Sequence, residues 1–281
     1  MKGFINLYKP VGMSSAQAVA RVKRALELPK NVKVGHTGTL DPMASGILPI
    51  AVGRATRLFD FMLEKYKTYV AEFTFGFETD TLDSEGEIVK TAEKIPSVEE
   101  IMAVLPEFFG KIEQLPPQYS AKSVNGIRAY DLARKGQAVE LKSCVVEIVE
   151  FEFLEAREEN KFAFRITCGS GTYIRSLCRD LAVKLGSVAT MTALERTKVG
   201  VFGLENAVKI EDVTASALLP CEIVLERLEK LNISAQQQEM LLQGKRVEMS
   251  KQNGLYKVFN GELVGLGQVE NNCLKMKTWL I

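Results

Sequence analysis

The residues best placed to do chemistry in this 281-residue chain are gathered in one short segment, Gly35-His36-Thr37-Gly38-Thr39-Leu40-Asp41-Pro42-Met43-Ala44-Ser45-Gly46. Its glycines permit tight turns and close approach of a ligand to the backbone. Pro42 disfavours the α region for the residue before it, which predicts that the Asp41 carboxylate is carried on extended backbone rather than on a helix flank. The segment runs straight into the apolar stretch Ile47-Leu48-Pro49-Ile50-Ala51-Val52 and is therefore anchored. A carboxylate presented this way can serve as a nucleophile or a base. The plain alternative is a surface turn whose aspartate makes a local Asx bond.

Two further segments carry candidates. Gly169-Ser170-Gly171-Thr172-Tyr173-Ile174-Arg175 lies between a predicted strand and a predicted helix, which puts Arg175 in the first helical turn. Free N–H groups there favour an anion. A cation at that end opposes the helix dipole, so Arg175 either pairs with an acid or stays a solvated surface charge. Lys67-Thr68-Tyr69 opens a strand among basic neighbours. Its aromatic is either core or a ring on which a nucleobase stacks.

What is missing narrows the chemistry. His36 is the one histidine, which excludes His-rich zinc sites and two-histidine motifs, and would force any Ser-His-Asp triad to use it. There is no G-x-x-x-x-G-K-[ST] phosphate loop, and Gly265-Leu266-Gly267 lacks the third glycine of a dinucleotide fingerprint. The acidic turn from Asp80 to Gly86 does not space its oxygens as an EF-hand does. The work falls to carboxylate, arginine, tyrosine or lysine.

The elements that must position these residues follow from patterning. A short strand is predicted over Phe4 to Tyr8. Ser14 or Ser15 then caps a helix with Ala18, Val19, Val22 and Leu26 on one face, ended by Pro29. Lys33 to Gly53 is read as loop-rich, and Arg54 to Leu63 as helical. Tyr69 to Phe75 alternates with the period of a half-buried strand. A helix from Val98 to Leu105 precedes a Pro-, Gly- and Lys-rich insertion, Glu113 to Leu141, with a helix expected near Ala129 to Arg134. Val145 to Phe153 and Lys161 to Cys168 read as antiparallel strands. Thr172 to Leu185 reads as an amphipathic helix closed by Gly186. Beyond a composition change near Leu228 come a short helix, Ala235 to Leu242, and brief strands with an Asn260-Gly261 hairpin turn.

Composition sets the outer limits. Apolar residues make up 46% and charged residues 25%, as in a globular protein with a proper core. No apolar run approaches the roughly 20 residues needed to span a bilayer, and the first residues do not form a secretory leader. Five cysteines without a C-x-x-C pair point to reduced thiols and a cytoplasmic setting. Net charge is only +1, but it is unevenly spread. Residues 1–70 hold eleven Lys/Arg against four Asp/Glu, and residues 71–110 hold two against ten. Such a division can offer a polyanion one positive face, or merely keep two surfaces soluble.

Taken in order, the segments resemble the TruB family of tRNA pseudouridine-55 synthases over nearly the whole chain. Gly35 to Pro42 is similar to its catalytic-loop motif. Lys67-Thr68-Tyr69 with Gly76, Thr79, Asp80 and Asp83-Ser84-Glu85-Gly86 is similar to its tyrosine strand and the following acidic turn. Gln114 to Lys122 and Asn125 to Tyr130 resemble its tRNA-gripping insertion, and Gly171-Thr172-Tyr173-Ile174-Arg175 its third motif. The resemblance implies an α/β (α+β) fold: a mixed or antiparallel-sheet catalytic domain over 1–228, an insertion over about 111–142, and a small β-rich PUA-like RNA-binding domain over 229–281. It implies Asp41 as catalytic aspartate, Arg175 as its partner and Tyr69 as the ring stacked on a flipped uracil. His36, Tyr173, Leu194, Lys122 and Arg128 would contact substrate. The partner would be the T stem-loop of tRNA, bound by a monomer, with no cofactor, metal or membrane involved. Two rivals stay in view: a glycosidase-like hydrolase, which commonly needs a second acid, and an RNA-folding helper without essential catalysis.

Overall fold

Alternating burial builds the main sheet around the strand that carries Tyr69. Along that strand Lys67, Tyr69, Ala71 and Phe73 turn inward, while Thr68, Val70 and Glu72 are only partly covered. A computed structural model describes residues 1–63, 66–120, 123–124, 127–128 and 141–281. Its first elements are β1 (Gly3–Lys9), α1 (Ser15–Ala25), β2 (Val34–His36), β3 (Ser45–Val52), α2 (Phe59–Leu63), β4 (Lys67–Phe75), β5 (Phe77–Thr79), β6 (Ile88–Thr91) and α3 (Val98–Val104). Then come β7 (Gly110–Gln114), β8 (Ser123–Val124), β9 (Ile127–Arg128), β10 (Cys144–Glu158), β11 (Lys161–Cys168), α4 (Ile174–Lys184), β12 (Ala189–Val199) and β13 (Phe202–Gly203). The last are β14 (Glu229–Asn232), α5 (Ala235–Leu242), β15 (Val247–Glu248), β16 (Gly254–Asn260), β17 (Glu262–Glu270) and β18 (Cys273–Trp279).

Among the described residues the large sheet runs β1-β3-β12-β4-β11-β10-β7, with β2 beside β3 and β13 beside β12. Its pairings are antiparallel except for a two-residue parallel contact, Glu195↔Ser45 and Arg196↔Gly46, between β12 and β3. One face carries a phenylalanine cluster in which Phe73 lies 4.9 Å from Phe164, and Phe164 lies 5.4 Å from Phe151. Helix α4 covers this sheet with its buried stripe of Leu177, Cys178, Leu181 and Ala182. Fully burying each of the two leucines contributes roughly 1.5–3 kcal/mol. Strand β1 is buried on both faces, as sheets covered on two sides require. Its second face, with Phe4, packs with Leu263 and Leu266 of β17 and with Leu280 just past β18.

The smaller C-terminal domain is β-rich. Its sheet has the order β14-β16-β17-β18-β15, and Gly261 (φ 71°) makes the turn between β16 and β17. Arg57 Nη1 donates to Trp279 O at 2.7 Å and helps join it to the body. No helix among the described residues is long and apolar enough to cross a membrane.

Several elements differ from the sequence expectation. The supposed loop over Lys33 to Gly53 contains β2 and β3, because Pro49 is accommodated within a strand opposite Asn6. Arg54 to Leu63 is a 3₁₀ turn leading into one short α-helical turn. Glu113 and Gln114 belong to edge strand β7 rather than to an insertion. The helix expected near Ala129 to Arg134 lies outside the described residues. Strand β12, at the middle of the sheet, was not anticipated at all.

Candidate active site

Asp41 sits between β2 and β3, on a segment tied down from several sides. Ser15, at the start of α1, donates its hydroxyl to Leu40 O and accepts from Leu40 N–H, both at 2.9 Å. The α1 helix begins where it does because Ser14 and Gln17 form a reciprocal capping box. Behind the segment, fully buried Lys9 donates through Nζ to Pro10 O (2.8 Å), Met13 O (2.6 Å) and Pro42 O (3.4 Å). Burial brings the Lys9 ammonium down to about 8, against the attraction of Asp41.

The Asp41 carboxylate meets Arg175 from α4: Nη2 lies 3.0 Å from Asp41 Oδ2. The same guanidinium reaches Asp83 Oδ2 through Nη1 at 3.4 Å, and donates to Thr81 O and Tyr119 O at 3.0 Å each. The cation that opposes its helix dipole thus finds two acids and two carbonyls. Arg175 and Asp83 side chains are 7% and 5% exposed, while that of Asp41 keeps 33% of its surface facing solvent. Burial raises the Asp41 pKa above the ordinary aspartate value; the Arg175 guanidinium opposes the rise and the nearby Asp83 adds to it.

A cleft of about 870 Å³ opens over this acid, and His36, Tyr69, Tyr173 and Leu194 line it together with Asp41 and Arg175. Tyr69 is 7% exposed, and burial pushes its phenol up to about 12, so it stays neutral at ordinary pH. His36 ends β2; burial and the charge of Arg196 lower its pKa, leaving a neutral imidazole. Tyr173 is the N-cap of α4. Its backbone exchanges two hydrogen bonds with the buried Gln114 amide, at 2.8 and 3.1 Å. Leu194 comes from β12. Six of the eight residues expected from sequence therefore share one cleft. Lys122 lies outside the described residues, and Arg128 is described only through the backbone of β9.

The N-terminal-domain profile of the TruB family pseudouridylate synthases matches residues 23–174, and the profile of the tRNA pseudouridylate synthase B C-terminal domain matches residues 175–231. The chain belongs to the TruB family of tRNA pseudouridine synthases. It is 42% identical over 274 residues to tRNA pseudouridine synthase B of Ehrlichia canis, covering 94% of this chain and 89% of that one. To the enzyme of the same name from Clostridium perfringens it is 39% identical over 295 residues, covering 100% and 99%. Among solved structures it resembles one in a Cbf5-Nop10-Gar1 complex, with a TM-score of 0.73 and 27% identity over 99% of this chain and 85% of that one.

For this TruB-family enzyme, Asp83 and Lys9 are site residues that sequence reasoning did not single out. Asp83 was noted only within an acidic turn, and nothing in that turn announces a carboxylate folded inward onto Arg175. Lys9 precedes Pro10-Val11-Gly12, which marks a stop to the strand but not a buried ammonium. The electrostatics make one prediction. If turnover needs ionised Asp41, its raised pKa places the acid limb of the single-turnover pH profile above the ordinary aspartate value of about 3.9. Activity is then lost as pH falls through that limb. An acid limb at or below the ordinary value would sink this assignment.

Proposed function

We propose that the enzyme isomerises the uridine at position 55, in the TψC loop of tRNA, to pseudouridine, with Asp41 as the reacting carboxylate. The observation that carries this is the Asp41–Arg175 pair at 3.0 Å, buried on the guanidinium side and open to the cleft on the other. In the reaction the N1–C1′ bond breaks and a C5–C1′ bond forms. The C5 proton leaves, N1 gains a proton, and nothing is oxidised. Asp41 can attack C1′ or C6, or remove the 2′ proton; each route needs one ionised acid held in place. Arg175 supplies that hold and opposes the desolvation of the carboxylate.

Reaching a base inside the T-loop requires flipping it out, at a cost of a few kcal/mol. A neutral Tyr69 ring in the cleft offers stacking that offsets this cost. His36, uncharged at the cleft wall, suits a wedge in the vacated space better than a proton carrier. Tyr173 and Leu194 complete an apolar surround for the uracil. Lys122 and Arg128 are assigned to the RNA backbone on the resemblance of their segment. We place the boundary of the C-terminal domain at 228/229, where β14 begins, and assign it a PUA-like role in gripping tRNA. Five unpaired cysteines favour a reducing, cytoplasmic compartment, and a monomer suffices for the chemistry because one chain supplies every cleft residue named.

The test is tritium release from a T-arm transcript labelled at uracil C5. One equivalent released per RNA, with base and ribose both kept in the strand, is the expected result. Release of free uracil would instead mark hydrolysis, for which Asp83 and Glu85 in the same cleft would provide the second acid. Binding without any release would mark the folding-helper role, which neither the family match nor the cleft favours.

A further inference from the structure

A deeply buried cation next to the cleft has no acid beside it. Arg196, on β12, is 1% exposed, and among the described residues its guanidinium forms no ion pair with a carboxylate. Guanidinium cannot shed its proton in a protein, so a full charge is held in the interior. Burying a charge is costly unless it is paired or fully hydrogen-bonded. Here the compensation comes from backbone oxygens of the segment carrying Asp41. Nη2 donates to Gly38 O (3.1 Å), Nη1 to Thr39 O (3.3 Å) and Nε to Ile47 O (2.7 Å).

These bonds complete a pattern. The next three carbonyls are also held: Leu40 O by Ser15 Oγ, Asp41 O by Ala44 N–H and Pro42 O by Gly12 N–H. Five successive carbonyls flanking the acid are thus fixed, and Arg196 donates to the first two. The register of the sheet puts it there. Arg196 pairs with Tyr69 on one side and Gly46 on the other. Gly46, at φ +106°, admits the close approach; an added Cβ would lie 2.2 Å from Arg196 O.

The charge of Arg196 also works against burial on the Tyr69 phenol, its neighbour across the sheet. We infer that Arg196 is a positioning residue for the reaction, fixing the Asp41-bearing segment through Gly38 O and Thr39 O. This rests on the role proposed above for Asp41.

The experiment compares wild type and Arg196→Lys by single-turnover tritium release with saturating enzyme. tRNA binding and melting temperature are measured alongside, and all rates are taken well below the lowest melting transition. Lysine keeps the charge but cannot span the separated acceptors. Arg196→Lys is expected to lower the single-turnover rate about 100-fold, the size of effect that a roughly 1 Å misplacement produces, with the tRNA dissociation constant within about threefold. Arg196→Met, which removes the charge, reports the structural share through its melting temperature alone. A rate for Arg196→Lys within threefold of wild type overturns the inference, as does a loss of tRNA affinity as large as the loss of rate. Absence of release by the wild type would sink the proposed reaction itself, a separate and recognisable outcome.

Discussion

Asp41→Asn is expected to abolish tritium release while leaving the folded protein at least as stable as wild type. The two halves have one cause. Burial raises the Asp41 pKa, so the fold disfavours the ionised carboxylate despite its pairing with Arg175. A folded-state pKa above the unfolded value contributes stability that is present at low pH and lost as pH rises through the folded value. At neutral pH the ionised group is therefore a net burden on the fold, and the neutral amide relieves it. Arg175 keeps Asp83, Thr81 O and Tyr119 O as partners in the variant. Chemistry, by contrast, loses the anion proposed to react. A fall of about 10⁴-fold or more is the scale seen when a reacting side chain is removed from a preorganised site. tRNA affinity should stay within about threefold, since the carboxylate adds negative charge rather than grip. Single-turnover release and thermal melting, run on one preparation, check both halves. A melting temperature well below wild type, or residual turnover above about 1%, would contradict the argument.

How much of this was legible in the sequence depends on whether local pattern and burial agree. They agree at α1, where Ser14, the apolar stripe and Pro29 all point to one helix, and at α4, where the stripe from Ile174 to Ala182 marks the buried face. At Arg175 the place in a first helical turn left an anionic partner or solvent open, and the fold supplies two acids. Pattern and burial disagree in β12. Bulges between Met191 and Ala193 and between Arg196 and Lys198 break the two-residue period, and a buried arginine occupies an inward position. No windowed pattern recovers such a strand. Edge strand β7 fails for a simpler reason: Gly110, Lys111 and Glu113 are exposed, and Ile112 alone signals a sheet. Asp83 was out of reach because its burial depends on α4 arriving from 92 residues further along the chain. Asp41, being in a local motif, could be found; the charges around it came from strands and turns whose inward side only the fold decides.

Removing Arg175 should harm both stability and rate, and a second substitution should separate the two. With Arg175→Met, Asp83 is left 5% exposed near Asp41 without its cation, while Thr81 O and Tyr119 O lose their donor. Breaking a buried pair by taking one partner costs about 3–5 kcal/mol. Urea unfolding should show a loss of that order. Adding Asp83→Asn removes the stranded charge, so the double variant should recover most of the stability. It should not recover turnover, because Asp41 still lacks the guanidinium that fixes its carboxylate and opposes its desolvation. Loss of one such charged hydrogen-bond donor from a site is worth about 10²–10³-fold in rate, and that deficit should persist in the double variant. Arg175→Lys tests geometry: one ammonium cannot serve two carboxylates and two carbonyls, so it should fall nearer to Met than to wild type in rate. If the double variant regained the wild-type rate along with its stability, Arg175 would be a structural counter-charge to Asp83 and nothing more. The 3.0 Å contact with Asp41, shorter than the 3.4 Å contact with Asp83, is the reason to expect otherwise.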